Sequence, residues 1–178
     1  FQITEGGSIP TSPLQFDVKE ISIAGAVTLN KEWHSRLPIL NNAFSCSVAF
    51  GAMFANKWWA IAIWGRPVAR AFNGKAVLEL RRMAICQEAP FNTASRMISI
   101  MLKLLKVKYP TLEKVISYQD TEVHRGTIYK ASGWYIGRIT KASEVRWGVL
   151  NKDGVGRIRS PIIAKGDKVR WEYSMRNV

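Results

Sequence analysis

Hydrophobic positions along this chain recur with two periods. Ala94, Met97, Ile98, Met101, Leu102 and Leu105 follow the i, i+3, i+4, i+7 spacing, which gathers side chains on one stripe of an α-helix. Asn92 or Thr93 can cap its start, and Pro110 ends it. Lys103, Lys106 and Lys108 crowd its last turns, where cations meet the negative end of the helix dipole. Elsewhere the period is nearer two. Phe16 to Ile23 alternates in part and reads as a first strand. Phe44 to Met53 and Trp58 to Trp64 read as a hairpin turning at "ANK". Val77 to Cys86 is a further strand, with Glu79 and Arg81 expected on one face and Leu78, Leu80 and Arg82 on the other.

Shorter elements complete the pattern. A helix is expected from Ala26 to Ser35, stopped by Pro38. Val115 to Tyr118 reads as a short buried strand, Gly126 to Ser132 as a short helix with Gly133 as its left-handed cap, and Trp134 to Ile136 as another strand. Helices interleaved with strands, plus one hairpin, predict an α/β fold, a mixed central sheet flanked by helices on both faces. Residues 1–13 carry Gly6, Gly7, Pro10 and Pro13 and read as an irregular leader. Residues 141–178 read as a basic, aromatic C-terminal extension of short strands with a turn at Asp153-Gly154.

Composition narrows the class. At 178 residues with 47% hydrophobic content, the chain is expected to form one domain, 1–178, with a sizeable core. The most apolar stretch, Ser47 to Trp64, is broken by Asn56 and Lys57, so two strands are expected and no membrane span. Only Cys46 and Cys86 are present, too few for a disulfide framework, and a reducing cytoplasm is the expected setting. "FQITEGGSIP" has neither the basic start nor the apolar run of a signal peptide. The net charge is +13, which suits a polyanionic partner.

Candidate chemistry clusters in "SYQDTEVHRGTIYKASGW". Asp120 stands where a strand ends, the place where ligands gather in open α/β sheets. It either holds a substrate amine or caps the following turn. Tyr129 either donates its phenol proton to a leaving group or is a half-buried core residue. His34 and His124, with Asp120, could hold a metal such as iron, although their spacing does not demand one. Glu79 and Arg82 interrupt an apolar strand, which requires a partner or a cleft. Ser95 and Arg96, with Asn92 just before them, occupy a helix start that favours an anion, or simply cap it. Arg66 and Arg70 lie in an Arg/Gly/Pro-rich loop, and Arg125 beside His124. Arg146-Trp147 and Arg170-Trp171 pair cations with indoles, a combination that suits phosphates and unpaired bases. Strand alternation with tryptophans in the core would give the same pattern.

The order of elements resembles the GNAT acyltransferase fold. "EWHSRLP", "IWGRPVAR", "LELRRMAI", "NTASRMIS" and "ISYQDTEVHRGTIYKASGWYIG" resemble the Mom-type DNA-modification proteins of phages, from about Ile21 through Gly137, with an echo in "DKVRWEYSM". The resemblance implies an enzyme that converts the N6 amine of adenine in double-stranded DNA to its N6-carbamoylmethyl form, protecting phage DNA from restriction in a bacterial cytoplasm. It implies roles for Arg82, Ser95, Asp120 and Tyr129, and it aligns His34 loosely with a His-bearing segment. The target base would have to be flipped out of the duplex. GNAT enzymes cradle a pyrophosphate with a glycine-rich loop before the long helix. Here that loop reads "QEAPFNTAS", so the donor is either acetyl-CoA or another activated acyl carrier such as an aminoacyl-tRNA, which would add RNA as a partner. Two alternatives stand beside this reading: a conventional acetyl-CoA-dependent N-acetyltransferase of a small amine or protein, and a non-catalytic DNA-binding relative.

Overall fold

A computed structural model describes residues 9–34, 37–40, 45–141, 144–150, 157–163 and 166–176, with 144–150 and 157–163 described as backbone only. Strand β1 (Asp17–Ile21) passes through Ser22 into helix α1 (Ile23–Trp33). The Ser22 hydroxyl accepts the Gly25 N–H at 3.1 Å, so the helix begins three residues before the expected Ala26. Buried Asn30 donates to the carbonyls of Leu37 and Pro38, both at 3.0 Å, and turns the chain back after the helix. The hairpin β2 (Cys46–Phe54) and β3 (Lys57–Gly65) turns on Ala55 (φ 49°) and Asn56 (φ 59°). Two consecutive left-handed residues give the turn whose twist matches the flanking strands.

Strand β4 (Val77–Ile85), helix α2 (Thr93–Lys108), strand β5 (Lys114–Asp120), helix α3 (Thr127–Ala131) and strand β6 (Tyr135–Thr140) follow in the expected order. Strands β7 (Glu144–Leu150) and β8 (Arg157–Ile163) pair as a separate antiparallel ribbon. The expected turn at Asp153-Gly154 and leader residues 1–8 lie outside the described residues. Strand β9 (Lys168–Ser174) inserts between β5 and β6, giving the sheet order β1-β2-β3-β4-β5-β9-β6. Part of the basic C-terminal stretch is therefore a strand of the main sheet. Only β4 and β5 pair in parallel.

Helices cover both faces, as expected. On one side α1 buries Ala26 with Ala49, Ile61, Ile63 and Ala84. On the other, Met97, Ile98, Met101 and Leu105 of α2 and Tyr129 of α3 pack on Phe50, Trp64, Leu80, Val115 and Trp171. The helical stripe read from the sequence is the buried one, except that Thr93 rather than Ala94 is fully enclosed. Among the described residues, no helix is long and apolar enough to cross a membrane.

Candidate active site

The site begins where a strand pair fails. Strands β4 and β5 pair from Val77–Lys114 to Leu80–Ser117 and no further, although β4 runs to Ile85 and β5 to Asp120. Their carboxyl ends diverge and open a notch in the sheet. Beside it, β4 carries a bulge: Trp64 of β3 faces Leu80, and the next residue back, Ile63, faces Arg82. Arg81 is the extra residue, and a bulge re-aims the side chains that follow it. Gly65 faces Glu79, and Ile63 and Gly65 share a side of β3. Glu79 and Arg82 therefore point to the same side, that of α1, not to opposite faces as plain alternation predicts.

Two lobes meet at this notch. On the α2/α3 side a lobe of about 390 Å³ is bounded by Met83, Ile85, Ala94, Ser117 and Tyr129. On the α1 side a lobe of about 490 Å³ is bounded by Leu37, Glu79, Asp120, Val123 and Lys168. Leu80, Arg81, Arg82, Tyr118 and His124 line both. Each lobe is of ligand size, and the two adjoin at these five shared residues, one on each face of the sheet.

Tyr129 stands at the first lobe. It is 8% exposed, with its ring stacked on Trp171 at 5.4 Å and tilted against Trp134 at 5.4 Å. Its hydroxyl lies 2.9 Å from Ser117 Oγ, which donates to the Leu80 carbonyl at 3.2 Å. A serine hydroxyl has one proton, so Tyr129 is the donor to Ser117. Burial pushes the phenol above its ordinary pKa, against the hydrogen bond to Ser117, and keeps it protonated. Gly126, which starts α3 at φ 70°, lets Trp171 and Gln119 approach so closely that a Cβ there would lie 2.6 Å from each.

Asp120 closes the second lobe. Its carboxylate accepts the Glu122 N–H at 3.1 Å and forms an ion pair with Lys168, the residue facing it on β9. Asp120 thus caps the turn that follows it, and it also lines the lobe. Burial, followed by the charge of Arg81, lowers the Arg82 pKa, opposed by Glu79 and Cys46. Arg82 donates to the Arg81 carbonyl at 2.7 Å, while its Nε is buried without a partner among the described residues. Burial, then the charges of Arg82 and His124, lower the His34 pKa. The Leu37 N–H donates to His34 Nδ1 at 3.1 Å. Burial raises the Glu79 carboxyl, against a hydrogen bond from the Val68 N–H.

A metal does not fit this arrangement. His34 and His124 come within electrostatic reach of each other, but Arg82 is there as well, and Asp120 is engaged by Lys168. Among the described residues no group of three His, Cys, Asp or Glu is placed to hold an ion. The iron considered from the sequence has no support here.

The remaining candidates divide. The Ser95 hydroxyl turns back to the Asn92 carbonyl at 3.1 Å, and Arg96 is exposed; Ala94 is the α2 residue that lines the cleft. Asn92 does not cap α2 with its side chain. It takes the left-handed conformation (φ 65°) that glycine commonly supplies. Arg125 lines the α2/α3 lobe. Arg66 and Arg70 are exposed on the β3–β4 loop, and Arg170 lies 5.1 Å over the Phe72 ring of that loop. Trp171 corrects an expectation: it is 3% exposed, and its indole N–H donates to Gln119 Oε1 at 2.6 Å, so it cannot stack on a base. Arg146 and Trp147 fall on β7, whose side chains lie outside the description. Sequence reasoning missed Tyr118, which lines both lobes, and Ser117, the partner of Tyr129. The signal for Tyr118 was its i, i+2 relation to Asp120, which sets both on one face of β5.

Known proteins share the family and the fold. Residues 15–159 match the Mom protein family. The methylcarbamoylase Mom of Escherichia phage Mu is 29% identical over 136 residues, covering 73% of this chain and 56% of its own; the chain thus spans about half the length of that curated relative. The ribosomal-protein-S18-alanine N-acetyltransferase of Escherichia coli superposes with a TM-score of 0.61 at 11% identity, over 92% of this chain and 96% of its own. A GNAT family acetyltransferase from Elizabethkingia anophelis with acetyl-CoA bound superposes with a TM-score of 0.56 at 14% identity, over 90% and 98%. The fold is that of the GNAT acetyltransferases, and the chain belongs to the Mom protein family.

Proposed function

We propose that this chain is a phage-type DNA-modification enzyme that places a carbamoylmethyl group on the N6 amine of adenine. The observation that carries the reading is the pair of lobes adjoining at the notch, a phenol lining one and a carboxylate the other. A transferase must bring two substrates to one point from separate sites. The notch between β4 and β5 offers that point, and the name of the phage Mu relative, methylcarbamoylase, supplies the group.

In this reading the donor occupies the α2/α3 lobe and the flipped adenine the α1 lobe. The adenine amine is a weak nucleophile because its lone pair is delocalised into the ring. Asp120, backed by Lys168, accepts one amine N–H, orients the nitrogen, and takes that proton as the new N6–C bond forms, releasing it to solvent. Arg82, at the seam of the lobes, stabilises negative charge that develops during transfer. Tyr129 donates its proton to the departing carrier and is reprotonated from solvent. The donor is an activated acyl group on a carrier such as CoA, which a fold neighbour holds as acetyl-CoA: the carrier's ester or thioester bond breaks as an N6–C(=O) bond forms, and an aminoacetyl group joined in this way is an isomer of the carbamoylmethyl product, reached by rearrangement without an oxidant or reductant. The bacterial cytoplasm is the proposed setting.

The test is direct. DNA from a bacterium expressing the chain is digested to nucleosides and analysed by mass spectrometry. A carbamoylmethyl-adenosine peak supports the reading; unmodified adenosine alone contradicts it. The second reading, an ordinary N-acetyltransferase, is favoured by the fold likeness and predicts transfer from acetyl-CoA to a small amine or peptide without DNA.

A further inference from the structure

Among the described residues, the α1 side of the sheet is only partly roofed. Helix α1 packs on β2, β3 and β4. Beyond it, over β5, β9 and β6, the strand registers fix which side chains share that side. Ile116 faces Glu172, Tyr118 faces Arg170 and Asp120 faces Lys168; across β9, Tyr135 faces Glu172 and Arg138 faces Arg170. All six charged residues of these strands, Lys114, Asp120, Arg138, Lys168, Arg170 and Glu172, therefore project to the α1 side. Four cations against two carboxylates leave a net +2.

The same side presents aromatic rings. Tyr118 is 41% and Tyr135 48% exposed, unlike the buried Trp134 and Trp171. The cations between them are held in place. Glu172 is buried, and burial raises its carboxyl, but hydrogen bonds from Lys114 and Arg170 outweigh that and hold it ionised. Gly137, the extra residue of a bulge in β6, leaves room for that carboxylate, which a Cβ would meet at 2.1 Å. The β3–β4 loop continues the patch with Arg66, Arg70 and the Phe72 ring beneath Arg170. Tyr118 also lines both lobes of the cleft, so this surface runs directly into the site.

We propose that this open face binds an unpaired strand of DNA, with Tyr118 and Tyr135 offering ring faces to bases and Arg138, Lys168 and Arg170 meeting phosphates. Exposed aromatic rings set among cations suit bases already out of the duplex, because an unpaired base has a free π-face. The choice of DNA rests on the adenine reading above. The face lies on the acceptor side of the cleft and would hold the strand flanking the flipped base.

Fluorescence anisotropy of the full chain with a labelled 12-nucleotide DNA strand, without donor, tests this. Tyr135→Ala/Arg138→Ala, both on the exposed edge strand, is expected to weaken binding about tenfold or more, and Arg138→Glu alone is expected to weaken it and lower its salt dependence. Lys103→Ala/Lys106→Ala, on the opposite side of the sheet, is expected to stay within about twofold. Circular dichroism verifies folding of each variant. Unchanged affinity in both edge-strand variants, a larger loss in the α2 variant, or a clear preference for RNA of the same sequence would overturn the proposal. Because binding is read without chemistry, absence of modified adenosine with this pattern intact would remove the adenine reading and leave the surface standing.

Discussion

The Tyr129 hydroxyl donates to Ser117 Oγ at 2.9 Å, and Ser117 hands the hydrogen-bond chain to the Leu80 carbonyl at 3.2 Å. Leu80 and Ser117 are also the last residues paired between β4 and β5. The phenol is therefore tethered at the apex of the notch, protonated, with its hydroxyl on Ser117 beside the α2/α3 lobe. Tyr129→Phe keeps the ring stack on Trp171 and removes only the hydroxyl. It should cost ~1 kcal/mol of stability and reduce modification about 10²–10⁴-fold, read from denaturant melts and nucleoside yields.

Arg82 is expected to trade stability for activity. Its Nε is buried without a partner among the described residues, and it shares its side of the sheet with Arg81. Replacing a desolvated charge by an apolar side chain of similar length often leaves a protein as stable or more so. Arg82→Met should match or exceed the wild type in urea midpoint, while modification falls about 100-fold or more. A variant that unfolds early and retains activity would show that Arg82 is structural.

Trp171 makes the opposite case. Stacked on Tyr129 and bonded to Gln119, it belongs to the core. Trp171→Ala should cost ~3–5 kcal/mol in equilibrium unfolding. A loss confined to DNA affinity, with stability intact, would contradict the buried placement.

His34 makes stability depend on pH. Its folded pKa lies below the ordinary 6.5, through burial and the charges of Arg82 and His124. The unfolded chain therefore binds the proton more readily. This contribution is complete above about pH 6.5 and is lost as pH falls toward the folded value. Urea midpoints at pH 7.5 and 5.5 should fall further for the wild type than for His34→Gln.

Much of the fold was legible in the chain, because the periods of α2, β2, β3 and β4 are set by local burial. The places of Asp120 and Tyr129 were legible for the same reason, one ending an apolar strand and the other on the short helix after it, but the chain did not tell that they line different lobes. What was not legible depends on residues distant in sequence. The bulge at Arg81 exists only in the pairing of β4 with β3, and alternation alone placed Glu79 and Arg82 on opposite faces. Lys168 reaches Asp120 because β9 inserts beside β5, which local patterning does not specify. The Arg-Trp pair at Arg170-Trp171 looked like a nucleic-acid contact, yet in β9 it is simple alternation, with the indole inside and the guanidinium on the open side. The exposed rings are Tyr118 and Tyr135 instead.

In the proposed reaction, group transfer to adenine passes between a phenol in one lobe and a carboxylate in the lobe adjoining it. The most direct measurement is the yield of modified adenosine in cells making the wild type, Tyr129→Phe or Asp120→Asn at matched protein levels. Carbamoylmethyl-adenosine is expected from the wild type, with a loss of about 100-fold or more from each variant. Wild-type yield from both variants, or none from the wild type, would contradict this reaction.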